Sequence, residues 1–136
     1  MKKKMQFIIS LVLLFFVLYF STSVWILAGV KDTLRTIYLH SEQDEQIQGI
    51  YVAPEAMKKF YRHELYPSSN NDKIDFSLSM GRVLHFFFVG KIWITYKYES
   101  FDSETNKLKY GSHAPMTLTV KLSKGHWKII NKYEKP

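Results

Sequence analysis

The sequence predicts an α+β fold: a transmembrane helix, then two helices packed on a curved, mostly antiparallel sheet of about five strands. Three observations predict it. A long apolar run without charge opens the chain. Apolar residues then recur at helical spacing as far as Leu65. From Ile74 onward they alternate with polar ones, which is the period of a strand.

The run from Phe7 to Val30 contains no Asp, Glu, Lys, Arg or His. As a helix it extends about 36 Å at ~1.5 Å per residue, enough to cross a hydrocarbon core of ~30 Å with some tilt. Lys2, Lys3 and Lys4 precede it, so the positive-inside rule keeps the N-terminus cytoplasmic and exports the C-terminal part of the chain. Lys31 and Arg35, just past the run, oppose that bias. Trp25 falls where an interfacial aromatic sits. The expected division is a basic end and anchor over 1–30 and an extracytoplasmic domain over 31–136. A cleaved signal peptide is the alternative, with Ser21 and Ser23 as the small residues after an apolar stretch ending at Phe20. The run resumes at Val24, Trp25, Ile26 and Leu27, which favours an uncleaved span. It has no GxxxG pair and no charge, so neither a dimerising face nor a proton relay is indicated.

Beyond the anchor, Leu34, Ile37 and Tyr38 share one face of a helix that continues the span over residues 31–48. Its polar stretch Ser41–Gln46 reads as a solvated helix or a linker, and Gly49 breaks it. Pro54 fits a first helical position with Glu55 in the first turn. Met57, Phe60, Tyr61 and Leu65 form the apolar stripe of this second helix, opposite Lys58, Lys59 and Arg62. Pro67–Asp72 reads as a loop. Ile74, Phe76, Leu78 and Met80 alternate as a half-buried strand ending at Gly81. Val83–Val89 is almost wholly apolar and reads as a strand covered on both faces, with a turn or bulge at Gly90. Ile92, Ile94, Tyr96 and Tyr98 alternate as the third strand. Phe101–Ala114 reads as a polar loop or hairpin tip. Met116, Leu118, Val120 and Leu122 make the fourth strand, Ser123-Lys124-Gly125 a turn, and His126–Tyr133 the last strand.

Composition excludes several function classes. The chain has no cysteine, which removes disulfides, thiol catalysis and Cys-based zinc sites. Lys2, Lys3 and Lys4 supply three of its formal +7 charges, and all 12 acidic residues lie beyond residue 30. The remaining excess suits an anionic surface, and the exported placement argues against nucleic acid. Lys121, Lys124, His126, Lys128 and Lys132, interleaved with Trp127 and Tyr133, make a possible contact surface for lipid headgroups, wall polymer or an acidic protein. A plain solvated sheet face is the competing reading. His40, His63, His85, His113 and His126 show no metal-ligand spacing. His85, on an apolar strand, reads as a hydrogen-bonded core histidine. No serine sits in a nucleophile motif. No catalytic, cofactor or metal site is expected.

The ending MTLTVKLSKGHWKIINKYEKP resembles the last hairpin of the nuclear-transport-factor-like (SnoaL-like, cystatin-like) superfamily. There an alternating strand meets a glycine turn, here Gly125, and returns as a strand with an aromatic and isoleucines, here Trp127, Ile129 and Ile130. The resemblance covers the last third of the chain by motif and the rest by element order. It implies helices over a curved sheet, with the Trp and Ile side chains closing the core. That superfamily includes enzymes, ligand carriers and membrane-anchored assembly subunits, so it does not by itself select a function. Its enzymes place Asp, His or Tyr inside the cone. The positions available here are Asp75, His85 and Tyr96, and alternation with Ile74 and Phe76 turns Asp75 to solvent. The expectation is therefore a non-enzymatic, single-pass, membrane-tethered interaction or accessory domain of a bacterial envelope. Its partners are the membrane and an envelope protein or a second copy, with no nucleic acid and no cofactor. The alternatives are a small-ligand-binding or enzymatic cone-type domain, and a secreted domain released by cleavage.

Overall fold

A computed structural model of the chain describes residues 1–39, 51–60 and 73–134. The fold is α+β. Helix α1 (Lys2–Leu39) is followed by the short α2 (Pro54–Phe60) and four strands: β1 (Lys73–His85), β2 (Val89–Phe101), β3 (Leu108–Ser123) and β4 (His126–Glu134). The strands form one open antiparallel meander in the order β1-β2-β3-β4. Val52 adds a one-residue fifth position, pairing parallel with Ile129 on the outer edge of β4. Hydrogen bonds of 2.8 Å from Ala53 N to Ile129 O and from Ile129 N to Tyr51 O hold it there. Pro54 opens α2 as expected. Tyr61 and Leu65, with the loop at 67–72, the stretch 41–46 and Gly49, lie outside the described residues.

The apolar run does form one helix long and apolar enough to span a membrane. α1 then passes the expected boundary at residue 30 without a break. Ile26, Val30 and Leu34, one turn apart, are fully buried, so the last turns of the run face protein. They meet the inner face of the sheet: Ile92 and Ile94 on β2, Met116, Leu118 and Val120 on β3, Trp127 and Ile129 on β4. Ala56, Met57 and Phe60 of α2 complete this core.

β1 runs alongside α1 in the opposite sense. Tyr38 stacks on Phe76 at 4.9 Å, and Tyr19 stacks on His85 at 4.0 Å. Tyr19 to Tyr38 spans about 28 Å of helix and Phe76 to His85 about 30 Å of strand, so the two elements match in length.

Two bulges set which side chains face the core. In β1, Gly81 and Arg82 together oppose Trp93, and the pairing shifts between Met80 and Val83. The inward set changes phase there, from Phe76, Leu78 and Met80 to Val83 and His85. The strand expected to end at Gly81 and the one expected over Val83–Val89 are therefore a single strand. Gly81 makes this possible, because a Cβ there would stand 2.4 Å from the Trp93 carbonyl oxygen. The expectation that Val83–Val89 is covered on both faces fails as well. Leu84, Phe86, Phe88 and Val89 are exposed, because the bulge turns Leu84 outward and residues 86–88 form the hairpin tip.

The polar loop expected over Phe101–Ala114 shrinks to Asp102–Lys107. Asp102 Oδ1 accepts from Glu104 N at 2.9 Å, and Asn106 takes the left-handed conformation. Gly111 and Pro115 nevertheless pair in β3, opposite Glu99 and Thr95. Pro115 sits one step past the last described β3–β4 pair, Met116 with Glu134. The turn at Lys124-Gly125 has positive φ at both residues, the two-residue geometry that suits strand twist.

Candidate functional site

Three places carry polar or aromatic groups in unusual settings: the join between α1 and the β1–β2 hairpin, a closed polar cluster inside the core, and the open outer face of the sheet.

At the join, His85 is buried between α1 and the hairpin. Its Nδ1 accepts the Phe87 backbone N–H at 3.1 Å. That assigns the remaining proton to Nε2, which lies 3.0 Å from both the Tyr19 carbonyl oxygen and Ser23 Oγ. The Ser23 hydroxyl in turn donates to Tyr19 O at 2.9 Å, so it is satisfied inside an apolar helix. Phe87 has φ 58°, a left-handed conformation disfavoured for a bulky side chain. Its ring is held edge-on by Phe15, Tyr19 and His85, at 5.7, 6.1 and 5.2 Å. His85 is thus a hydrogen-bonded core histidine. Tyr19 and Ser23 are the residues that reading the sequence missed; the available signal was two hydroxyls one helical turn apart in the apolar run.

Inside the core, a second bulge decides the chemistry. Ile130 is extra between Ile129, opposite Val120, and Asn131, opposite Thr119. Beyond it Lys132 and Glu134 turn inward while Tyr133 turns out. Lys132 is therefore no part of a contact surface, contrary to the expectation from uninterrupted alternation. It is only 5% exposed, with Nζ 3.0 Å from the Glu134 carboxylate and 3.3 Å from the Lys59 carbonyl oxygen. The ammonium also stands 4.7 Å over the Phe60 ring. The Tyr96 hydroxyl donates to Glu134 at 2.7 Å and lies 3.0 Å from Ser112 Oγ. Tyr38 closes this end of the core, stacking on Tyr96 at 5.3 Å. Lys132 and Glu134 carry opposite charges, and the Lys132 bond to the Lys59 carbonyl ties α2 to β4.

The outer face is different. Trp93 and Tyr133 are exposed, and with Thr95, Thr117, Ser79 and Pro115 they line an open groove of about 320 Å³. Asp75 is exposed on the same face, 3.9 Å from Lys97. Lys121, Lys124 and His126 are exposed and Lys128 half-buried at one end of the sheet, so four of the five expected contact residues do share a region. Register puts Lys121 between Val89 and Lys128, and Ser123 opposite His126. Lys2, Lys3 and Lys4 are exposed on the first turn of α1. Trp25 is half-exposed and meets Trp127 edge-on at 5.6 Å.

Among the described residues, no three His, Asp or Glu side chains gather as metal ligands. No protein-family model, curated protein or solved structure matches the chain.

Proposed function

We propose that this is a single-pass membrane protein of a bacterial envelope, with its N-terminus cytoplasmic and its α+β domain on the extracytoplasmic face, serving as a non-catalytic interaction or accessory subunit. The observation that carries this reading is the continuity of α1. One unbroken helix offers exposed apolar side chains from Phe7 to Phe20 and buried ones at Ile26, Val30 and Leu34. A domain docked on its own membrane helix is held in a fixed pose, which suits a part that positions a surface for a partner. Lys2, Lys3 and Lys4 support the orientation. The open sheet face, with Trp93 and Tyr133 exposed, supplies a surface of interface-like composition. The space between helices and sheet is filled by Ile26, Leu34, Ile92, Leu118 and Trp127, which disfavours the cone-type ligand binder. The packing of Ser23 against His85 disfavours release by cleavage at Ser21 or Ser23. The likeness of the last hairpin to the nuclear-transport-factor-like superfamily, with its membrane-anchored assembly subunits, supports the same reading.

The test uses intact cells. A cysteine replacing Ser103 should react with a membrane-impermeant thiol reagent, and one replacing Lys2 should not; the reverse pattern refutes the orientation. Photo-crosslinkers at Trp93 and Tyr133 should each trap one discrete product, a second copy or another envelope protein. Monomer alone, from several mild detergents and both sites, counts against an interaction role.

A further inference from the structure

We propose that the tip of the β1–β2 hairpin, Phe86–Val89, is a second membrane-inserted element, seated beside α1 in the acyl region of the leaflet on the domain side. The inference rests on reading α1 as a membrane span and goes beyond it, since a single-pass anchor by itself leaves its domain outside the bilayer.

Helix length is the first reason. Crossing ~30 Å of hydrocarbon takes about 20 helical residues. The hairpin already touches α1 at Phe15, whose ring meets Phe87. From Met5, the first residue past the lysines, to Leu14 the helix covers only ~15 Å, and counting from Met1 gives ~21 Å. The rest of the crossing falls on the turns that contain Phe15 and Tyr19, and there the hairpin lies against the helix.

The surface of the tip agrees. Phe86 is 81% exposed and Phe88 71%, with Leu84 and Val89 exposed beside them. Such a patch is a liability in water and is at home in lipid. From Val83 to Gly90 there is no charged side chain, and His85 carries a single ring proton directed at α1. Lys91, opposite Leu84, and Lys121, opposite Val89, flank the tip, and Arg82 precedes it, all three exposed, where their stems follow the apolar surface and their ammonium or guanidinium heads meet anionic phospholipid.

Backbone that enters lipid must satisfy its own polar groups, and the N–H groups of this tip find protein acceptors. Phe86 N donates to Val89 O at 2.8 Å, Phe88 N to Phe86 O at 2.7 Å, and Leu122 N to Phe88 O at 2.8 Å. Phe87 N donates to His85 Nδ1, and His85 N reaches the Tyr19 hydroxyl at 3.4 Å. The N–H groups of four consecutive residues are thus taken by protein acceptors at the place where water would otherwise be needed.

The absence of native cysteine allows a direct test. Single-cysteine variants F86C, F88C and L84C are spin-labelled in the full chain and reconstituted in phosphatidylcholine vesicles containing phosphatidylglycerol. L13C marks the span and S103C marks water. Collision with oxygen should dominate collision with a soluble nickel chelate at positions 84, 86 and 88, as at position 13. Nickel-dominated collision at the tip with a lipid signature at position 13 overturns the proposal and leaves the anchor intact. Shielding from both reagents at the tip also overturns it, in favour of a protein contact such as a second copy. A water signature at position 13 refutes the anchor itself.

Discussion

The imidazole of His85 lies flat on the phenol ring of Tyr19, with centroids 4.0 Å apart and planes 17° from parallel. This pair joins the hairpin to the helix. His85→Ala removes the stack and leaves the Phe87 N–H without its acceptor. A stacked pair contributes ~0.5–1.5 kcal/mol beyond burial, and an orphaned buried donor costs ~1–3 kcal/mol. H85A should therefore lose about 2–4 kcal/mol of stability in detergent unfolding. Tyr19→Leu loses the stack while keeping the backbone acceptor, and should lose less. Strictly additive effects in the double mutant would contradict a direct join.

Gly81 makes a separate prediction. Gly81→Ala drives a methyl group against the Trp93 carbonyl, which is backbone and yields only if the bulge opens. The expected cost is about 1–3 kcal/mol, as for overpacking elsewhere. Amide exchange should rise first at Val83–His85, where the ladder resumes after the bulge. Unchanged protection there contradicts the role given to Gly81.

Lys132 and Glu134 form a compensated buried pair, so removing one partner is worse than removing both. Lys132→Ala should cost about 3–5 kcal/mol because it takes the ammonium away from the Glu134 carboxylate and leaves a hole beside Phe60. The double change Lys132→Met with Glu134→Leu should recover most of that loss. Equal destabilisation by the single and double variants contradicts the pairing.

Periodicity made part of this fold legible in the sequence. The long apolar helix, the first turn of α2 and the strands of regular alternation could be read, because an uncharged run and the helical and strand periods survive in the sequence. The bulges could not. Gly81-Arg82 and Ile130 each shift the phase by one residue, and a one-residue slip exchanges the faces. That is why Val83–Val89 resembled a doubly covered strand and why Lys132 resembled a surface lysine. The polar composition of Phe101–Ala114 suggested a loop, and pairing of Leu108 to Ala114 with β2 overrode it. Of the candidate contact residues, Lys121, Lys124, His126 and Lys128 lie at one end of the sheet, whereas the partners of His85 were marked in the sequence only by two hydroxyls one helical turn apart in an apolar helix.

The basic end of α1 yields the last prediction. Lys2, Lys3 and Lys4 stand before the span, while Lys31 and Arg35 stand after it. Cationic residues near short flanks set orientation, and acidic ones count for little. Replacing all three lysines by serine leaves the bias to Lys31 and Arg35, which favour the inverted topology. Labelling of a Ser103→Cys reporter by an impermeant reagent on intact cells should then fall well below that of the parent. Adding Lys31→Ser and Arg35→Ser, which removes the competing charges, should restore part of it. Labelling that ignores the three lysines means the orientation is fixed by something other than charge, such as early folding of the domain against Ile26, Val30 and Leu34.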